Sequence, residues 1–216
     1  MKIVFCLPGS NFSGRFLSCW TELLHACQLN DIQIILSQQY SPLLYYVRNL
    51  CLGGNYLEGI NQKPFQGKLD YDYIMWIDSD TIFTPDQFFK LINNNKDIVS
   101  GLYMMQDNIN YATVENWNRK NNNNQFITRE SLKQKRTVFT VDYTGFGFIL
   151  MKKGVFESLE YPWFQPMWTE YELDGKTIRD FSMEDAAFCS MIKEKNYDIW
   201  IDPEVIVGHE KMMILY

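Results

Sequence analysis

Apolar positions along the chain follow two periods that alternate, and this predicts an α/β fold. Residues 3–7 form a short apolar run that reads as a first strand. Behind a turn at Pro8 and Gly9, Phe16, Cys19, Trp20, Leu23, Leu24 and Cys27 recur at three and four residues, the stripe of a helix running to about residue 28. His25 lies beside that stripe and reads as a structural or surface residue. Residues 32–37 form a second strand, and residues 42–52 a helix ended by Gly53 and Gly54. Residues 73–77 are an unbroken apolar run, as expected of a strand buried on both faces. Thr84, Pro85 and Asp86 then open a helix with a cap, a first-turn proline and an acid at its positive end. Phe88, Phe89, Leu91 and Ile92 give it a core face. Further strands are expected at 97–103, 137–142, 148–151 and 199–201, the last ended by Asp202 and Pro203. Ser182 is the expected cap of a helix whose first turn holds Glu184 and Asp185. Residues 106–136, rich in Asn and Lys and including the run 121–124, read as a flexible excursion or a short hairpin.

Composition narrows the class. At 216 residues with no repeat or linker, the chain suits a single α/β domain. A net charge of -6 argues against a nucleic-acid partner, which asks for a basic face. Five scattered cysteines without CxxC spacing imply reduced, buried thiols and no structural zinc. No stretch approaches the roughly 18 apolar residues of a transmembrane helix, so a cytoplasmic protein is expected. Asn11, Phe12 and Ser13 match a glycosylation sequon and are taken as chance.

The candidate chemistry gathers where the apolar run 73–77 stops. Asp78 and Asp80, with Ser79 between them, stand at the carboxyl end of a strand, where open α/β sheets collect ligands. Clustered carboxylates repel unless a cation lies among them, and a hard divalent ion bridging to a substrate phosphate is the simplest such cation. Solvated acids ahead of a capped helix are the plain alternative. Gly145 and Gly147, just before an apolar strand, permit close approach of backbone to a ligand. Glu184 and Asp185 alone would be no more than helix-dipole compensation, and His209 alone a surface residue. The aromatic loop at 161–168 offers rings that serve either as core satellites or as stacking faces for sugars.

In order, Arg48 and Asn49, residues 76–80, Gly145-Phe146-Gly147, residues 182–188 and His209 resemble a glycosyltransferase of the GT-A fold. The resemblance spans nearly the whole chain. Within that class it is most similar to the N-terminal glycosyltransferase domain of chlorella-virus capsid-glycosylating proteins, which would place it in host cytoplasm. It implies a mixed sheet flanked by helices, with residues 1–103 as the nucleotide-sugar half and 104–216 as the acceptor half. Pro8, Gly9 and Ser37, at the ends of the first two strands, would hold the base of a UDP-sugar. Arg48 would face the donor nucleotide, where a guanidinium suits phosphate. Asp78 and Ser79 would lie against ribose or metal. Asp80, with Asp78 and the distant His209, would bind Mn2+ or Mg2+, and this donor set suits Mn2+. Of Glu184 and Asp185, facing a glycan or glycoprotein acceptor, Asp185 would be the base of an inverting reaction. Stereochemistry, donor sugar and linkage stay open. A sugar nucleotidyltransferase is the rival enzyme, although residues 8–15 are a poor phosphate loop. A catalytically inactive carbohydrate-binding domain is the rival from another class.

Overall fold

The computed structural model describes residues 1–118 and 123–211. In chain order the strands and helices are β1 (Lys2–Pro8), α1 (Gly14–Leu29), β2 (Gln33–Gln39), α2 (Leu44–Cys51), β3 (Tyr73–Ile77), β4 (Thr81–Ile82), α3 (Pro85–Asn93), β5 (Ile98–Leu102), β6 (Asn110–Asn118), β7 (Asn123–Thr128), α4 (Arg129–Leu132), β8 (Phe139–Val141), β9 (Tyr143–Thr144), β10 (Phe148–Lys152), β11 (Met167–Leu173), β12 (Lys176–Ser182), α5 (Glu184–Glu194), β13 (Ile199–Ile206) and β14 (Gly208–His209). Seven strands form the central sheet in the order β2-β1-β3-β10-β5-β13-β8. β10 and β8 run against their neighbours and the rest are parallel, so the sheet is mixed.

Period-two alternation puts a core on each face. From β1, Ile3, Phe5 and Leu7 meet Phe16, Leu23 and Cys27 of α1 and Phe88 and Leu91 of α3. Val4 and Cys6 point the other way, into a cluster with Val47 and Cys51 of α2 and Phe188, Cys189 and Ile192 of α5. The second cluster carries a knot of rings: Trp76, Phe146, Phe156, Phe164 and Phe188 stand 5.0–6.2 Å apart by centroid. Ring pairs of this kind add to the area they bury. Trp163 and Phe164 of the aromatic loop are therefore core, while Trp168 stays exposed. All five cysteines are buried, and His25 is exposed.

Several elements depart from expectation for non-local reasons. Ser182 does not cap α5: it pairs with Met167 at the end of the β11–β12 hairpin, and Met183 takes the cap position without a side-chain bond. The last strand does not stop at Asp202 and Pro203. β13 continues to Ile206 because its pairing with β5 breaks register between Ile201 and Ile206, so the proline never has to donate to the ladder. The Asn- and Lys-rich segment does form the hairpin that is one of its two expected states, β6–β7, and β9 extends it into a three-stranded sheet. Residues 119–122, which include the first half of the Asn run at 121–124, lie outside the described residues.

Candidate functional site

β1, β2 and β3 are parallel and end at one edge of the sheet, so the segments that follow them converge there. After β3 the chain turns tightly. The Asp78 N–H donates to the Gly147 carbonyl at 3.1 Å, the Thr81 hydroxyl donates to the same carbonyl at 3.0 Å, and the Thr81 N–H closes back on the Asp78 carbonyl at 3.0 Å. This turn aims Asp78 and Asp80 in different directions.

Asp80 points toward the end of the chain. β4 pairs with β14, which sets His209 opposite Thr81, and the Glu210 N–H donates to the Asp80 carbonyl at 2.7 Å. His209 Nε2 then stands 3.2 Å from Asp80 Oδ2, and Lys211 Nζ reaches the same oxygen at 2.6 Å. The other ring nitrogen, Nδ1, lies 2.7 Å from the Met104 carbonyl. A carbonyl only accepts, so Nδ1 carries a hydrogen and Nε2 is the atom turned to Asp80. Burial would raise the Asp80 carboxyl, but the bonds from His209 and Lys211 prevail and hold it at about 2. The bond to Asp80 in turn raises His209, against partial burial. A carboxylate and an imidazole, the latter fixed by a carbonyl behind it, are a donor pair fit for a divalent cation. Asp78 is not part of that pair, and among the described residues no three His, Cys, Asp or Glu side chains stand together as a metal set.

Asp78 turns inward to Arg48. This guanidinium is 2 % exposed, and of the two plain readings of a lone arginine on a helix, solvated or salt-bridged, it takes the second. Its Nη1 lies 3.1 Å from Asp78 Oδ1, its Nη2 donates to Asp78 Oδ2 at 3.2 Å, and its Nε donates to Glu184 Oε1 at 3.1 Å. The rings of Trp76 and Phe146 lie 5.5 and 5.0 Å from its central carbon. Burial would lower the Arg48 pKa, and the two carboxylates more than reverse this, so the guanidinium is locked charged. Glu184 is buried and fully committed to Arg48 on one oxygen; burial raises its carboxyl against that attraction. Where a donor-facing Arg48 is implied by resemblance, the structure has a buried clamp between the turn after β3 and the start of α5.

Asp185, the next residue on α5, faces elsewhere. Tyr143 donates its hydroxyl to Oδ2 at 2.8 Å, and the Ala186 N–H donates to Oδ1 at 2.7 Å. Burial pushes the Asp185 carboxyl above the usual aspartate range, with both donors opposing. Those two donor residues also line a cavity of about 230 Å³, with Met105, Val114, Trp117 and Phe126.

The remaining predicted residues serve the frame. Pro8 is buried, and Gly9, at φ +147°, leaves room for Ser79: a Cβ there would fall 2.8 Å from the Ser79 Cβ. Gln38 donates to the Gly9 carbonyl. The Ser37 hydroxyl is turned in to the Cys51 carbonyl at 2.6 Å and so braces β2 against the end of α2. Gly145 and Gly147 do admit a close neighbour, but it is the chain's own Tyr103. A Cβ at Gly145 would lie 1.9 Å from the Tyr103 hydroxyl, and one at Gly147 2.7 Å from its ring. Tyr103 also meets His209 edge to face at 5.0 Å. Tyr103, Tyr143 and Lys211 are thus site residues that the sequence reading missed. A tyrosine just past a buried strand, at Leu102 and Tyr103, is the one signal that pointed there.

The chain matches glycosyl transferase family 2 over residues 38–159, more than half its length. It belongs to glycosyl transferase family 2. The matched region of this family 2 chain holds Arg48, Asp78, Ser79, Asp80, Gly145 and Gly147, and stops short of Glu184, Asp185 and His209. Among solved structures it is similar to A197 from STIV, at 17% identity and TM-score 0.55, over 100% of this chain and 97% of that one. It is also similar to GalNAc-T7, solved with UDP, GalNAc and Mn2+, at 10% identity and TM-score 0.55. That alignment covers 98% of this chain but 43% of GalNAc-T7, so this chain spans under half the length of that protein. At such identities both show the fold, which is GT-A. A search of curated proteins gave no match.

The clamp yields a stability prediction. Arg48→Met strands the buried Glu184 and the half-buried Asp78 without a cation, and is expected to cost about 3–5 kcal/mol in denaturant unfolding at neutral pH. The loss should shrink as pH falls and the raised carboxyl of Glu184 takes up a proton. Adding Glu184→Gln to Arg48→Met should recover part of it. Wild-type stability in Arg48→Met would show that the clamp holds nothing together.

Proposed function

We propose that this family 2 glycosyltransferase is metal-dependent and transfers a hexosyl or deoxyhexosyl group from a UDP-sugar to a glycan acceptor. One observation carries the reading. Asp80 and His209 meet at 3.2 Å at the carboxyl edge of the sheet, with the histidine tautomer set by Met104. Asp80 and His209 would hold Mn2+ or Mg2+, and Lys211 occupies the same carboxylate oxygen as a cation would. When bound, the ion supplies positive charge to the diphosphate leaving group. Support for the donor comes from GalNAc-T7, which shares the fold and was solved with UDP and Mn2+. Gly9, just after β1, and Gln38, at the end of β2, border the same edge and would receive the uracil and ribose. Asp78, oriented by Arg48, would bound the ribose side. A sugar nucleotidyltransferase is disfavoured by the absence of a Gly-rich, basic phosphate loop after β1.

On the acceptor side Asp185 is the proposed base. Its raised pKa makes it more basic than an ordinary aspartate, and its two donors line a cavity in which a sugar hydroxyl would sit. The hydroxyl oxygen attacks the anomeric carbon, its proton passes to Asp185, and the bond to UDP breaks with the electron pair leaving on the phosphate oxygen. A side-chain base in this place fits a single displacement with inversion. Resemblance to capsid-glycosylating proteins makes a glycoprotein-borne glycan the acceptor to try first.

The metal pair and the base are tested separately. In calorimetry with UDP and Mn2+, Asp80→Ala is expected to abolish metal-dependent binding, and His209→Ala to weaken it less, because a neutral donor contributes less charge. Mn2+-dependent binding that survives Asp80→Ala removes the metal assignment.

For Asp185→Asn, acceptor-dependent turnover is expected to fall by about 10²-fold or more while UDP affinity holds. The base must be ionised, and burial raises its pKa. Wild-type turnover should therefore fall, as pH is lowered, at a higher pH than an ordinary aspartate would give. Normal transfer by Asp185→Asn with dead Glu184→Gln exchanges the two roles. Normal transfer by both leaves a reaction without a side-chain base.

A further inference from the structure

Two cavities share a wall on the acceptor side. The first is the cavity of about 230 Å³ beside Asp185, and Trp117 forms part of its lining. The second, of about 220 Å³, is bounded by the same Trp117 together with Trp168, Thr169, Glu170 and Ser182. Neither reaches the roughly 300 Å³ at which small-molecule clefts begin, and taken together they do. Each is sized for one ring, and the pair for two rings joined end to end.

The chemistry of the second cavity is specific. Trp168 is 63% exposed and stacks on Phe181, 53% exposed, at 3.9 Å between centroids and 25° between planes. Phe181 covers one face of the indole, so the ring is held flat while much of it remains open to solvent. An open aromatic face takes the C–H side of a sugar ring. Beside it, Glu170 receives both Arg179 bonds, at 2.9 and 2.6 Å, on Oε2. Arg179 thereby fixes the carboxylate and neutralises it, leaving Oε1 to accept from a hydroxyl. A flat ring beside a fixed carboxylate matches the alternating apolar face and hydroxyl edge of a pyranose. A lipid chain would call for a continuous apolar lining, which Thr169, Glu170 and Ser182 interrupt.

We propose that the acceptor is an oligosaccharide of at least two sugars, whose terminal sugar occupies the cavity beside Asp185 and whose preceding sugar stacks on Trp168 in the adjoining cavity. This inference rests on the glycosyltransferase reading and adds to it a length requirement and a specificity residue. The β11–β12 hairpin, outside the region matched to the family, then becomes the element that selects the acceptor.

The test is an immobilised array of mono- to tetrasaccharides, probed with the protein in UDP and Mn2+, using wild type, Trp168→Ala, Trp168→Phe and Glu170→Gln. Thermal unfolding of each variant checks its fold. Wild type is expected to retain disaccharides and longer glycans over the matching monosaccharides. Trp168→Ala should weaken that retention by roughly tenfold, the scale an aromatic contact supports, and Trp168→Phe should restore most of it. Should Trp168→Ala not fold, Trp168→Phe and Glu170→Gln carry the comparison, with Glu170→Gln expected to weaken retention. Three results overturn the proposal: monosaccharides retained as well as disaccharides, retention unchanged in the folded variants, or no glycan retained by a protein that binds UDP. Calorimetry of wild type with UDP and Mn2+ separates the two levels. Absent UDP binding removes the glycosyltransferase donor reading and this inference with it, whereas UDP binding without length dependence removes this inference alone.

Discussion

One buried guanidinium joins the two halves of the site. Arg48 is 2 % exposed and lies where α2, the turn after β3 and the first turn of α5 meet. A cation in that position would be costly alone, and so would either carboxylate. Together they are tolerable only at hydrogen-bonding geometry, so each fixes the place of the others. The rings of Trp76 and Phe146 complete the enclosure and favour a planar, delocalised cation over an ammonium. Because Asp78 is bound there, the tight turn that follows β3 is anchored, and Asp80 is delivered to His209. Because Glu184 is bound there, α5 starts in one orientation, and Asp185 is delivered to Tyr143. The clamp touches neither proposed reacting group, yet both depend on it.

What the sequence disclosed and what it hid divide along the range of the contacts. The apolar run at residues 3–7, the stripe through Phe16, Leu23 and Cys27, and the apolar run that stops before Asp78 are local patterns, and each became the element expected. The residues hidden are those whose partners lie far away in sequence. The partners of Arg48 could not be read because nothing near it in sequence is acidic; its carboxylates come from positions 30 and 136 residues distant. Gly145 and Gly147 read as room for a ligand because the ring that fills that room, Tyr103, arrives from another strand. Ser182 looks like a cap until its pairing with Met167 is known, and Pro203 looks like a strand end until the break in register beside it is seen. Local pattern therefore placed the strand-end acids, while their electrostatic partners became visible only in the fold.

Three acids of the candidate site have been given three environments. Asp80 is held low by His209 and Lys211, as the proposed metal role asks. Glu184 and Asp185 are both raised by burial, but their partners differ in kind. Glu184 faces a permanent cation that claims its charge. Asp185 faces a phenol and a backbone amide, which orient a carboxylate without neutralising it. Environments that separate neighbouring acids in this way commonly mark a division of chemical labour.

Helix geometry accounts for why neighbours differ so much. Successive residues on a helix point about 100° apart, so Glu184 and Asp185 cannot share a face. Once Arg48 claims the first, the second is turned toward Tyr143 and the cavity that Tyr143 and Ala186 line. In the proposed reaction this matters more than pKa alone. Both Asp185 oxygens already accept one bond each, at 2.8 and 2.7 Å, so the carboxylate plane is fixed before an acceptor arrives. Each oxygen keeps a further lone pair, and a hydroxyl reaching it from the cavity would meet an oriented base. The helix step sets which acid is free of Arg48, and Tyr143 with the Ala186 N–H sets how that acid is oriented.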